Sequence, residues 1–128
     1  TGRDGHRIQG FGADAPQNNY YLTAPGQNHA NAAVVIGVAE ADGFISNLEV
    51  NTEVAPGSGK TITYTVQKGV NKAGLANTAL TCDAGGTSRL AEDKTHRVAV
   101  SKGDVFAIKV TSADVGSATA SYASFTIE

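Results

Sequence analysis

Alternation of apolar and polar residues, cut at short intervals by glycine and proline turns, constrains this chain more than any other feature. In residues 60–68, Ile62, Tyr64 and Val66 hold one parity while Thr61, Thr63 and Thr65 hold the other. A period of two sends successive side chains to opposite faces, so such a run makes a strand with one dry face and one wet face. Residues 43–54 repeat the pattern, with Phe44, Leu48, Val50 and Val54 against Asn47, Glu49, Asn51 and Glu53. Between the two runs lies Ala55-Pro56-Gly57-Ser58-Gly59, a turn by composition. The pair therefore reads as a β-hairpin.

Further strands follow from the same signals. Residues 20–23, 32–40, 78–82, 96–100, 105–111 and 119–127 are candidates, all but the last followed by a Gly- or Pro-containing stretch. In 32–40, Gly37 and the Val34-Val35-Ile36 cluster favour a strand over a helix. Ser101-Lys102-Gly103-Asp104 reads as a tight hairpin turn into 105–111, whose Phe106, Ile108 and Val110 share a face. At the C-terminus Ala123, Phe125 and Ile127 share one parity and Tyr122 takes the other. The result is an all-β fold, a jelly-roll-like β-sandwich of about eight antiparallel strands. The first residues break the pattern: four glycines and Asp14-Ala15-Pro16-Gln17-Asn18-Asn19 surround Ile8 and Phe11, with no periodicity. Residues 1–31 are thus expected to form an extended N-terminal arm and residues 32–128 the β-sandwich domain. Ile8 and Phe11 would anchor the arm on a neighbour, and Tyr20 and Tyr21 would add a contact surface.

Composition narrows the function classes. The chain has 128 residues and room for one domain. Ten Lys and Arg against twelve Asp and Glu give a net charge near −2, which argues against a nucleic-acid partner or a polybasic membrane anchor. A single cysteine, Cys82, excludes an intrachain disulfide framework and a cysteine-based zinc site. No apolar run reaches the ~20 residues of a membrane-spanning helix. Thr1 is small enough to follow a removed initiator methionine, so a complete short protein is expected.

The motifs that might carry chemistry are weak. Gly57-Ser58-Gly59-Lys60-Thr61 has the tail of a phosphate-binding loop, but Val54 stands where its first glycine belongs, and a strand rather than a helix follows. His6, His29 and His96 lack ligand spacing, so no metal site is expected, and His96 reads as a hydrogen-bonded structural histidine. Paired carboxylates occur at Glu49 and Glu53 and at Glu92 and Asp93, without an aromatic platform beside them. Cys82 reads as a small core residue. No catalytic residue, metal or cofactor is assigned, and the chain is not read as an enzyme.

Four segments in order, Phe44-Ile45-Ser46-Asn47-Leu48-Glu49-Val50, Ala55 through Lys68, Val98 through Thr111 and Ser121 through Glu128, resemble a module of bacteriophage virion proteins and their prophage relatives. The resemblance covers about two-thirds of the chain and implies the jelly roll of capsid-associated and fibre proteins, commonly trimers. It implies a structural protein of the virion: a capsid decoration or cement protein on the capsid surface, with the major capsid protein as partner and a homotrimer as the assembly. The competing expectation is a receptor- or glycan-binding tip of a phage fibre.

Overall fold

The structure is a computed structural model that describes residues 6–12, 20–22, 34–53, 55, 57–112 and 121–128. Ten strands are described: β1 (His6–Gly12), β2 (Tyr20–Tyr21), β3 (Gly37–Val38), β4 (Gly43–Thr52), β5 (Gly57–Gly69), β6 (Ala76–Gly86), β7 (Leu90–Asp93), β8 (Val98–Val100), β9 (Val105–Ser112) and β10 (Ser121–Ile127). They form two antiparallel sheets. The first runs β1-β10-β4-β7, with β8 also on β4; the second runs β2-β9-β5-β6, with β3 also on β9. β10 pairs with β4 as far as Ile127 and Ile45, so β7 and β8 share the opposite side of β4 as one interrupted strand. β2 and β3 share one side of β9 in the same way. Counting each interrupted strand once, the positions run 1-8-3-6 in one sheet and 2-7-4-5 in the other. That order is the jelly roll.

The core lies between the sheets. Ile45, Leu48 and Val50 of β4 and Phe125 of β10 face Ile62, Tyr64 and Val66 of β5, Leu80 of β6, and Phe106, Ile108 and Val110 of β9. Phe106 and Phe125 meet edge to face across the layer, with centroids 5.7 Å apart and planes at 77°. This arrangement sets the positive rim of one ring against the negative face of the other.

Two expected hairpins are not hairpins. β4 and β5 lie in different sheets, and so do β8 and β9. The turns form as read: Gly57 and Gly59 take positive φ, and Asp104 N–H donates to the Ser101 carbonyl at 3.0 Å. Yet each turn carries the chain across the sandwich. Alternation reports one dry face per strand, and two strands facing each other across a core show the same pattern as two neighbours in one sheet. Among the described strands, β5 and β6 are the consecutive pair joined as a hairpin, around a single 3₁₀ turn at Lys72–Gly74.

The parity expected for β4 also changes partway. Ser124 pairs with Glu49 and Thr126 with Ser46, so Asn47 and Leu48 together oppose Phe125. This is a bulge, and Asn47 supplies its left-handed residue at φ 53°. The bulge places Ile45 inside with Leu48 and Val50, and leaves Phe44 half-buried. Phe44 is covered instead by the Arg97 guanidinium, 3.7 Å from its ring centroid. Val98 is likewise half-buried. β6 runs through Asp83-Ala84-Gly85-Gly86, expected as a turn, because Ala84 is buried in the core and Asp83 bonds Thr63 across the strands at 2.7 Å. Thr23, residues 32–33, Val54 and residues 119–120 of the expected strands lie outside the described residues.

The expected arm is also corrected. Residues 6–12 are an edge strand of the first sheet, paired with β10 over seven residues, and Tyr20 and Tyr21 pair with β9. Gly10 explains how a sequence without periodicity enters the core. A Cβ there would lie 2.9 Å from Leu22 Cβ, so only glycine lets β1 approach the second sheet so closely. Residues 1–5, 13–19 and 23–31 lie outside the described residues.

Candidate functional site

The jelly roll puts β1, β10, β4 and β7 side by side, so one outward side chain from each falls on a common rung. Gln9, Ser124, Glu49 and Glu92 form one rung. Tyr122, Asn51 and Leu90 form the next, with Phe11 at the register position opposite Tyr122. Along this outer face lie two adjoining depressions of about 370 and 360 Å³ that share Glu49, Val50 and Leu90. Leu90 is 64% exposed and Tyr122 40% exposed, which makes them prominent apolar groups on this face. Tyr122 Oη donates to Glu53 Oε1 at 3.2 Å, which fixes the ring on the sheet and raises the phenol above its ordinary range. Lys94 Nζ bonds Glu49 and lies 3.7 Å from Glu92, holding both carboxylates at the groove wall.

A second polar constellation sits where the sheets close on each other. Asp93, at the end of β7, is almost fully buried. Its Oδ1 accepts from Thr95 N, Thr95 Oγ1 and His96 N at 3.0, 3.1 and 3.1 Å. Its Oδ2 accepts from Thr81 N at 3.2 Å and meets His96 Nδ1 at 2.7 Å. An ionised carboxylate only accepts, so Nδ1 carries the proton. Burial by itself would push this carboxyl up. The His96, Thr95 and Thr81 amides and the His96 ring outweigh burial and hold it down at about 2. The result is a clasp: a side chain of the first sheet covers a backbone N–H on β6, the outer strand of the second.

The expected site residues separate. Ile8 is half-buried and packs inward, its methyl group lying where a Gly37 Cβ would come within 2.9 Å, so it helps fasten β1 to its own core. Tyr21 is half-buried on β2. The side chains of His6, Phe11 and Tyr20, and all of His29, lie outside the described residues. Lys60 lies within β5, and among the described residues no helix N-terminus stands beside it to receive phosphates. Cys82 is buried; burial first, then Asp83, Asp93 and Glu92, push its thiol up to about 12, so it stays protonated at neutral pH. No group of three His, Cys, Asp or Glu converges to hold a metal among the described residues.

Sequence reasoning missed the groove because its parts come from four strands scattered between Gln9 and Ser124, and pairing alone makes them neighbours. It missed the clasp because Glu92-Asp93-Lys94 reads as a solvated polar run. The available signal was Asp93 followed by Thr95, a pattern that favours side-chain capture of following backbone amides. No family model matches this chain, and no curated protein matches it.

Proposed function

We propose that this chain is a structural virion protein that decorates and stabilises a phage capsid, a cement protein with the major capsid protein as its partner and a homotrimer as its working assembly. The observation that carries the reading is the jelly-roll strand order, the architecture implied by the resemblance of residues 44–128 to virion modules. The internal chemistry supports an assembly role over a catalytic one. The Asp93–His96 pair has the geometry that orients a catalytic imidazole, but Oδ2 also bonds Thr81 of the other sheet and Oδ1 holds the Thr95 and His96 amides. The Cys82 thiol is held neutral in the core. What the fold offers a partner is surface, and symmetric repetition turns modest contacts into avidity.

With β1 paired as the edge strand of the first sheet, shell contact falls to the sandwich surfaces rather than to an arm at residues 6–12. Quantitative mass spectrometry of purified particles tests the proposal. Hundreds of copies per virion are expected; a handful would mean a fibre or tail component and would overturn the decoration reading.

A further inference from the structure

We infer that the groove on the outer face of the first sheet binds a neutral oligosaccharide. The chemistry of the lining selects this class. Protein-docking patches are depleted in Glu and Ser at their centres, whereas this groove is walled by Glu49, Glu92 and Ser124. The same carboxylates repel a phosphate backbone, so a nucleic acid is excluded. A sugar needs a different set: planar amides and carboxylates that engage its hydroxyls two at a time, and apolar surface for its C–H faces.

The rungs supply that set. Gln9 sits directly opposite Ser124 and Asn51 directly opposite Tyr122, and neither amide has a side-chain hydrogen bond among the described residues. Each brings two donors and one acceptor to the groove. Tyr122 and Leu90 lie on the Asn51 rung, one on either side of it, and offer apolar surface to the sugar's C–H faces. The Tyr122 bond to Glu53 fixes the ring in advance, which limits the entropy lost on binding. Glu49, Glu92 and Glu53 against Lys94 leave the groove acidic, so sugars bearing carboxylate or sulfate are disfavoured.

The inference goes beyond the capsid reading and does not depend on it, since the test needs the free chain alone. Titration calorimetry of the full chain against maltohexaose, cellohexaose, chitohexaose and the anionic polygalacturonate is expected to show binding to at least one neutral probe and none to polygalacturonate. Tyr122→Ala, Asn51→Ala and Gln9→Ala should each weaken that binding at least about tenfold. Lys72→Ala, on the β5–β6 tip, should leave it unchanged. Thermal unfolding of each variant checks the fold, and if Tyr122→Ala is destabilised the two amide truncations decide the matter. Silence across the neutral probes, equal binding of polygalacturonate, or binding indifferent to all three groove variants would overturn the inference.

Discussion

Asp93 is where the chain concentrates the most hydrogen bonding on one side chain, so its removal is the sharpest test of how the sandwich is held shut. The carboxylate takes bonds from five donors: Thr81 N, Thr95 N, Thr95 Oγ1, His96 N and His96 Nδ1. Its proton affinity measures part of their worth. The folded value of about 2 against an ordinary 3.8 is a difference of nearly two pH units, or about 2–3 kcal/mol of stability. Because the folded value is the lower one, this contribution is complete above about pH 4. It disappears as pH falls from there through about 2.

Asp93→Ala should cost more than the titration alone, on the order of 3–5 kcal/mol. It removes a buried acceptor and leaves the Thr81, Thr95 and His96 amides without that partner. Asp93→Asn keeps the shape and one acceptor oxygen, so its cost should be smaller. Urea unfolding followed by far-UV circular dichroism at pH 6 and pH 3 measures both effects. The parent should lose stability between the two conditions, and Asp93→Asn should lose markedly less. An Asp93→Ala protein within about 1 kcal/mol of the parent, a shift outside which surface substitutions rarely fall, would refute the clasp. Identical acid profiles for the parent and Asp93→Asn would refute the electrostatic account.

Three further outcomes are expected. Phe106→Ala, which empties the centre of the core and the edge-to-face contact with Phe125, should cost roughly 3–5 kcal/mol in the same assay. Deletion of residues 1–19 should destabilise the domain by at least about 2 kcal/mol, since it strips β1 from β10 and removes Ile8 from the core margin. A melting temperature equal to the parent's would return these residues to the status of an arm. Asn47→Gly should be tolerated and Asn47→Val should cost roughly 1–2 kcal/mol, because the bulge needs a left-handed residue at φ 53°; equal stability of the two would show that the bulge is dispensable.

What the sequence determined by itself was local. Alternation in residues 60–68 and 105–111 identified two of the strands and their buried faces, and Ile62, Tyr64, Val66, Phe106, Ile108 and Val110 are all in the core. Turn chemistry placed Gly57-Ser58-Gly59 and Ser101–Asp104 as reversals, because glycine dihedrals and short-range hydrogen bonds belong to a few consecutive residues. Cys82 was legible as a core residue from the chemistry of a free cysteine, which packs as a small apolar side chain.

Tertiary structure decided everything that required knowing which strand lies beside which. Alternation is blind to whether a partner sits next door or across the core, so the turns after β4 and β8 were read as hairpins although they cross the sandwich. A strand whose key residue is glycine carries no apolar signal. Gly10 joins β1 to the core through what it lacks, and that becomes visible only when Leu22 stands opposite. Asp93 reads as solvated until Thr81 of the other sheet arrives to bond it. The groove had no sequence signature either: Gln9, Asn51, Leu90 and Tyr122 become one surface through hydrogen-bonded pairing of chain segments far apart in sequence, a long-range property that no local window contains.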